Sequence, residues 1–294
     1  MKGRILAALA VAWLAAGVAL AQAPGAYLDV EMVRVKPEKQ VEFDALNKKM
    51  AEANRRNHGD NWITQETLYG ENNVVYYVSL RANYGAIEKG QEAFISAATK
   101  AFGKAGLDKL FQDYSNTIIS SRSEVRRRRW DLSYNPPDAA AYIRMVGQAR
   151  WVRTIIVHVK PGQDLVFEAA LRAINGAAQK SNEPASVFVS QGDSGERGNV
   201  YYISWLLPSL ADVDKGTPLP KMLGEKGFQN FLRSVAESAQ GSETIISRVV
   251  PEESNPPEEV VAVAPDFWRP KPPAAAKPKP KAAAKGNAKP AANQ

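Results

Sequence analysis

The sequence has no cysteine and only two histidines among its 294 residues. The lack of cysteine excludes disulfide bonds, iron–sulfur clusters, zinc–thiolate sites and a cysteine nucleophile. Two histidines are too few for a metal site built mainly from imidazoles. We therefore expect no metal site and assign no cofactor.

Long apolar runs are also absent, except at the N-terminus. Lys2 and Arg4 precede an Ala- and Leu-rich stretch over residues 5–21, and Ala19 and Ala21 fit the small–x–small cleavage rule. The pattern is typical of a secretory signal peptide covering residues 1–21. Because the stretch is at the lower limit for a membrane span, an uncleaved anchor is the alternative. We expect an exported protein, periplasmic or extracellular, with no transmembrane span after cleavage.

The net charge of +7 lies almost entirely at the two ends of the chain. The N-terminal segment contributes +2 and residues 269–294 contribute +7, which leaves −2 for residues 22–268. A nearly neutral body gives no reason to expect nucleic-acid binding. Proline, alanine and lysine dominate residues 265–294, which predicts a disordered tail. The tail either holds the protein to an anionic envelope surface or is a solubilising extension without a partner.

The middle of the sequence contains one pattern twice. The matches keep their order, with offsets of 120 to 127 residues, which chance similarity would not maintain. We interpret them as a tandem duplication with repeats at residues 22–137 and 150–257. The clearest matches are Val35-Lys36-Pro37 with Val159-Lys160-Pro161, Tyr76-Tyr77 with Tyr201-Tyr202, Ile118-Ile119-Ser120 with Ile245-Ile246-Ser247, and Asn135-Pro136-Pro137 with Asn255-Pro256-Pro257.

Each copy shows strand-like and helix-like hydrophobic patterns in the same order. In the first copy we predict strands at residues 27–36, 62–69, 74–80 and 116–126, with helices at 38–57, 87–102 and 107–114. This order predicts a ferredoxin-like unit, with helices on one face of a four-stranded antiparallel sheet. Two such sheets packed face to face predict an α+β fold that forms an intramolecular pseudo-dimeric α+β barrel.

The strand-to-helix junctions at residues 33–43 and 157–167 resemble those of the dimeric α+β barrel superfamily, especially antibiotic-biosynthesis-monooxygenase-like domains. The motif is structural, because proline starts the helix and Phe43 or Phe167 packs under it. The first copy departs from the motif at Glu38, where the second has Gly162. That family includes cofactor-free oxygenases of polycyclic phenols, haem-degrading enzymes, haem-bound relatives and members without known activity. No motif selects among them, so no catalytic residues are carried over.

His158 and Arg34 are equivalent residues on the first strand of each copy. If both face the space between the sheets, His158 is a candidate general base and Arg34 a candidate partner for an anionic substrate or an oxyanion. The alternative, which we favour, is that both point toward helices or solvent and make local hydrogen bonds.

Aromatic residues form the second set of candidates. One tyrosine of each adjacent pair should face the inter-sheet space, because neighbours on a strand alternate faces. Together with two tryptophans they predict either an aromatic ligand site or ordinary core packing. The residues are Tyr76, Tyr77, Tyr201, Tyr202, Trp62 and Trp205.

Four consecutive arginines, Arg126, Arg127, Arg128 and Arg129, precede Trp130. They predict either a grip on phosphate or polysaccharide or a solvated edge strand that discourages sheet-to-sheet aggregation, and we favour the edge strand.

These patterns favour an exported small-molecule-binding or accessory protein whose small aromatic or apolar ligand occupies the inter-sheet space. One alternative is a cofactor-free oxygenase of the resembling family that acts on an aromatic substrate, with His158 or Arg34 assisting proton removal. The other is an envelope scaffold that binds a partner through its cationic tail. The sequence leaves open whether the protein is an enzyme.

Overall fold

The computed structural model describes residues 25–181, 185–215 and 219–270. The predicted signal peptide and the predicted tail from residue 271 onward lie outside the described residues. Across the described ranges, no helix is both long and apolar enough to cross a membrane.

Eight antiparallel strands close into a barrel in the order β1-β3-β2-β8-β5-β7-β6-β4, with β4 paired back to β1. Each half of the chain contributes four neighbouring strands in a corresponding order, and the halves meet at the β2–β8 and β4–β6 pairs. The strands are β1 (Tyr27–Val35), β2 (Ile63–Tyr69), β3 (Val74–Arg81), β4 (Ile118–Arg128), β5 (Trp151–Val159), β6 (Phe188–Ser194), β7 (Asn199–Leu207) and β8 (Ala239–Val249).

Helices cover the outer face of the barrel, so the expected α+β fold with a barrel of two facing sheets is confirmed at that level. They are α1 (Gln40–Arg56), α2 (Tyr84–Thr117), α3 (Ala139–Gln148), α4 (Asp164–Lys180), α5 (Leu219–Ser238), α6 (Glu258–Val261) and α7 (Pro265–Trp268). The phenylalanine of each junction motif is buried beneath its helix. Phe43 packs on Val33 and Val35, and Phe167 packs on the equivalent pair from β5.

The inside of the barrel holds a separate apolar core. Residues at alternate positions of β1, β3, β5 and β7 meet there, among them Val30, Tyr76, Ile156 and Tyr202. The outer face carries the opposite residues, which pack against the helices. The period of two along each strand thus separates an inner core from two outer cores.

One end of the barrel is covered by α3 and the C-terminal helices. Trp268 is fully buried, and its Nε1 donates a hydrogen bond of 3.0 Å to the Gly147 carbonyl oxygen. Residues 265–270 lie within the range 265–294 assigned to the tail, but they belong to the folded body, where the buried Trp268 anchors them. Helix α3 was not predicted. It begins after Asp138, whose carboxylate accepts a hydrogen bond of 2.7 Å from the Ala141 amide.

The strand register corrects two of the predicted matches. Tyr76 pairs with Met32 and Tyr202 pairs with Ile156, so these two tyrosines are equivalent, at an offset of one residue more than the sequence match gave. At the start of β4, Ile118 pairs with Val35, whereas Ala239 pairs with Val159. Ile118 therefore corresponds to Ala239 and not to Ile245. The two Ile-Ile-Ser segments are similar in sequence, but they occupy different positions along their strands.

The arginine run does not lie on an edge strand, because β4 pairs with both β1 and β6 in the closed barrel. Arg126 and Arg128 contribute to the wall of an internal cavity. Arg127, between them on the strand, is half-exposed and lies 4.0 Å from Asp193. The run therefore divides between the inside and outside of the barrel.

Candidate functional site

The two polar candidates from the first strands lie at the surface. Arg34 is exposed and forms an ion pair with Glu71. His158, the equivalent residue on β5, is also exposed. Neither residue lines either of the two cavities described below, so the structure does not bring them together in a shared pocket.

The aromatic candidates divide between the two faces of the barrel. Tyr76 and Tyr202 lie in the inner core. Tyr77 and Tyr201 lie on the outer face, beneath the helices. Of the two tryptophans, Trp62 lines both cavities, whereas Trp205 lies under the guanidinium of Arg153 at 4.9 Å.

The inter-sheet cavity is a space of about 280 Å³ inside the barrel, at the end covered by α3 and the C-terminal helices. Its wall is mostly apolar, and its exposed rim includes Asn61, Leu80 and Glu259. Thr154 and Ser204 supply hydroxyls that are hydrogen-bonded to each other at 3.0 Å. Apolar wall residues include Leu28, Val78, Val152, Phe188, Leu206 and Trp268.

Deeper in the barrel, a buried polar cluster joins the two halves at the β4–β6 seam. The Tyr202 hydroxyl donates to Glu196 at 2.7 Å, and the Arg126 guanidinium pairs with Glu124 and lies over the Tyr202 ring at 3.6 Å. Burial raises the pKa of Glu124, and its contact with the Glu196 carboxyl raises it further. Burial also tends to raise the pKa of Glu196, but hydrogen bonds from Glu124 and Tyr202 outweigh this effect and leave the pKa of Glu196 below its ordinary value.

Arg128 is the next inward-facing residue on β4 and differs from Arg126 in its partners. Its Nη2 donates to the Tyr142 hydroxyl at 2.9 Å, and its Nε is buried without a hydrogen-bond partner. Three aromatic rings surround the guanidinium, with centroids 5.5 to 5.8 Å away, from Trp130, Tyr142 and Phe188. Within the described ranges, no carboxylate forms an ion pair with it.

The outer cleft is a space of about 530 Å³ between the first half's sheet and helices α1 and α2. The Tyr77 hydroxyl donates to Asn47 Oδ1 at 2.8 Å. Asn47 is only 5% exposed, and its Nδ2 is buried without a partner. The remaining walls combine apolar and charged residues, including Met50, Phe94, Phe111, Tyr114, Glu31 and Arg81.

Ionisable groups of the outer cleft have shifted pKa values. Burial, with a smaller effect of Asp29, raises the pKa of Glu31. Burial also raises the pKa of Tyr77 and Tyr114 well above the ordinary tyrosine value. Both phenols therefore remain protonated donors at neutral pH, while Glu31 is the group suited to accept a proton there.

Glu253 is a buried carboxyl close to this cleft. It is 4% exposed, and burial, with a smaller effect of Asp44, raises its pKa to about 8. Its charge acts on both Tyr77 and Tyr114. Its backbone oxygen accepts hydrogen bonds from Trp62 Nε1 at 2.8 Å and from Thr64 Oγ1 at 2.7 Å, which fix its position.

The second half has aliphatic residues at the equivalent positions. Ser254 and Ser133 make matching hydrogen bonds with their neighbours, so the preceding residues, Glu253 and Leu132, are equivalent. Leu132 is 1% exposed and packs in the second half's outer core. By helix position and strand register, Glu31, Asn47, Tyr77 and Tyr114 correspond to Ile155, Leu171, Ile203 and Val235.

Sequence reasoning missed Glu31, Asn47 and Glu253 as site residues, and it named Arg128 only as one of four consecutive arginines that could bind an anion. A signal was available for the first two, because a position-by-position comparison of the copies sets Glu31 against Ile155 and Asn47 against Leu171. For Glu253 the signal was hidden, since the predicted offset after the fourth strand was wrong. In the part of the chain that the structure describes, no group of three or more His, Asp or Glu residues is placed to hold a metal ion.

Comparison with known proteins finds similarity in backbone structure alone. No protein-family model matches the sequence, and no curated protein matches it. An anthrone oxidase-like protein superimposes with a TM-score of 0.49 and 13% identity over 78% of this chain and 93% of that chain. A heme-binding protein from Thermus thermophilus superimposes with a TM-score of 0.43 and 8% identity, over 79% of this chain and 93% of that chain. A chlorite dismutase variant from Candidatus Nitrospira defluvii superimposes with a TM-score of 0.42 and 9% identity, over 82% of this chain and 95% of that chain. No residue role is transferred from them.

Proposed function

We propose that the protein binds a small, largely apolar molecule in the inter-sheet cavity. The observation that carries the proposal is a space of about 280 Å³ with a mostly apolar wall and a few polar groups. A cavity of about 150 Å³ is enough to hold benzene in a small protein, so this space admits a ligand of one or two rings. Walls of this composition are typical of ligand sites.

The rim supports entry of such a ligand. Asn61, Leu80 and Glu259 belong to the cavity wall and are exposed, which gives the cavity an opening at the surface. Trp268 forms part of the same wall and is held by its hydrogen bond to Gly147, so the closed end is fixed by α3 and α7. The N-terminal sequence pattern supports a site of action outside the cytoplasm.

We also propose that the two halves are tandem ferredoxin-like repeats that form an intramolecular pseudo-dimer. The corresponding strand order in each half supports this. So do Gly103 and Gly224, which interrupt α2 and α5 at φ 69° and 68°. The matching hydrogen bonds of Ser133 and Ser254 add a third correspondence at the end of the fourth strand of each half.

Native mass spectrometry of the purified protein tests the binding proposal, with titration of naphthalene derivatives if no ligand is retained. We expect one bound molecule per chain. Ser204→Phe should abolish binding, since the new ring would fill the cavity, whereas Ser115→Phe on the exposed side of α2 should not. An unmodified protein that retains no ligand and binds no naphthalene derivative would refute the proposal.

A second function is favoured by the outer cleft, namely cofactor-free oxidation of a phenolic or benzylic substrate. In that reaction a base removes a proton from the substrate, and the carbanion passes electrons to O2. One oxygen atom enters the product as a ketone and the other leaves as water. Glu31 is the half-buried carboxylate for the first step, and the unpaired Asn47 Nδ2 is a donor for the enolate oxygen.

Oxygen uptake with anthrone as the probe tests this second function. Glu31→Gln should lower the rate at least 100-fold, because proton removal by a positioned base contributes that much. Glu42→Gln, on the surface of α1, should leave it unchanged. Absence of oxygen uptake by the unmodified protein, or equal rates in both variants, would count against the cleft as an oxygenase site.

A further inference from the structure

We infer that the ligand of the inter-sheet cavity is an organic anion whose negative group pairs with Arg128. The inference rests on the proposed function, since it names the chemical class that the cavity takes. Its basis is a guanidinium in the cavity wall that lacks any acidic partner within the described ranges.

The other arginines of the cavity wall are already neutralised. Arg126 pairs with Glu124. Arg81 donates two hydrogen bonds of 2.6 Å to the carboxylate of Asp60 and further ones to Asp29. These three acids have no counterpart near Arg128. Among the three arginines of this wall, Arg128 is therefore the one that forms no ion pair with a carboxylate of the described residues.

Burying such a charge is costly unless a counter-charge and hydrogen-bond acceptors surround it. The rings of Trp130, Tyr142 and Phe188 supply part of the compensation through their π faces. They accept no hydrogen bond along the Nε–H direction, and Nε remains unpartnered. A guanidinium presents paired donors that match the two oxygens of a carboxylate or the oxygens of a sulfonate.

The rest of the cavity fits an apolar body attached to that anionic group. Phe188 both flanks the Arg128 guanidinium and lines the cavity, so the charged and apolar parts are continuous. Val152, Leu206 and Val249 extend the apolar wall from there. An aromatic carboxylate with one or two fused rings combines the required charge with the required shape.

Isothermal titration calorimetry with two probes of similar shape tests the inference. The probes are 2-naphthoate and 2-naphthalenemethanol, which share the ring system and differ in charge. We expect the unmodified protein to bind the carboxylate at least tenfold more tightly than the alcohol. Arg128→Gln should remove this preference and leave the affinity for the alcohol unchanged. Arg127→Gln removes a charge from the outer face of the same strand and should keep the preference.

The outcomes separate the inference from the proposed function. Equal affinity of the unmodified protein for the two probes would overturn the inference while leaving the cavity as a ligand site. A carboxylate preference that survives Arg128→Gln would also overturn it, because the anion would then be bound elsewhere. Failure of both probes to bind would refute the proposed function itself. The comparison of probes on the unmodified protein needs no variant, so it stays decisive if Arg128→Gln does not fold.

Discussion

The two halves of the molecule share a backbone plan but use their outer cores differently. The outer core over the first half's sheet has polar or ionisable residues at five positions where the outer core over the second half's sheet has aliphatic ones. The fifth pair is exchanged between the repeats, since Glu253 comes from the second repeat and Leu132 from the first. Four of those aliphatic residues belong to one packed cluster with Phe167. The first half instead has a cleft of about 530 Å³ at this place. A single fold thus supports either a filled core or a cavity lined with hydrogen-bonding groups.

The difference lies in whether buried polar groups are satisfied. In the second half, Glu168 accepts hydrogen bonds from Tyr201 at 3.0 Å and from Arg129 at 2.6 Å, so its charge is paired. In the outer core over the first half's sheet, Asn47 keeps an unpartnered amide, and Glu253, which comes from the second repeat, has a strongly raised pKa. Unsatisfied buried groups cost stability, so the two outer cores differ in what their buried polar groups cost.

Placing an ionisable side chain in the outer core over the second half's sheet should have the largest effect on stability. Leu132→Glu places a carboxyl among Phe167, Leu171 and Val189, where the present structure has only apolar partners for that side chain. We expect a loss of about 4 kcal/mol in the free energy of unfolding at pH 7, measured by urea denaturation.

Leu132→Met is the matched control, because it keeps the volume and apolar character and should cost less than about 1.5 kcal/mol. If Leu132→Glu proved as stable as this control, the second half would tolerate the polar pattern as well as the first. The contrast between the halves would then carry no functional meaning.

The pH dependence of stability should reveal the buried carboxyl of Glu253, beside the outer cleft. Glu253 has a pKa of about 8 when folded, against about 4.5 when unfolded. Between these values the unfolded chain releases the proton while the folded protein retains it. The free energy of unfolding should therefore fall as pH rises from 4.5 to 8, by on the order of 4 kcal/mol from this residue.

Glu253→Gln should flatten that slope, since glutamine has no proton to lose, and urea denaturation at several pH values measures it. The neighbouring Glu252 is exposed, so Glu252→Gln should leave the slope as it is. Equal slopes in the unmodified protein and in Glu253→Gln would contradict the assignment.

The smallest expected effect on stability concerns the glycine that interrupts a helix in each half. Gly103 and Gly224 have φ values of 69° and 68°, and a Cβ atom at either position would meet nothing within 4 Å. Alanine there should cost about 1 kcal/mol through backbone strain alone, and equally in the two halves. Thermal denaturation of the two variants measures whether the two losses of stability are equal.

Gly176→Ala serves as the reference for these glycine variants. Gly176 lies inside helix α4, also with open space at its Cβ, so alanine should stabilise the protein there by roughly 0.5–1 kcal/mol. A clear difference between the effects at Gly103 and Gly224 would show that the helix breaks are not equivalent.

The elements of the fold were predictable because their signals are local. Valines before Pro37 and Pro161, followed by a phenylalanine six residues later, defined the first strand and helix of each half, and the structure places both phenylalanines under those helices. Helix α3 also had local signals, an Asp138 cap and alanines, but it lay between the assumed repeats. The repeat pattern predicts no element there, because residues 138–149 have no counterpart in the other copy.

The site was not predictable to the same degree, because it depends on register. A shift of one residue turns a side chain to the opposite face of a strand, so the shifted match made Tyr77 the partner of Tyr202. The pairing shows instead that Tyr76 is its partner. The partner of Arg128 is a matter of three-dimensional packing, since Tyr142 and Phe188 come from a helix and a strand of different parts of the chain.

The order in which the barrel closes has a consequence for biosynthesis. Strand β2 pairs on one side with β8, and the cap at one end of the barrel includes Trp268, which lies near the end of the described residues. While the ribosome is still making the second half, β2 therefore has no neighbour on that side. A nascent chain of this topology therefore cannot close its barrel until β8, the last strand, has been synthesised.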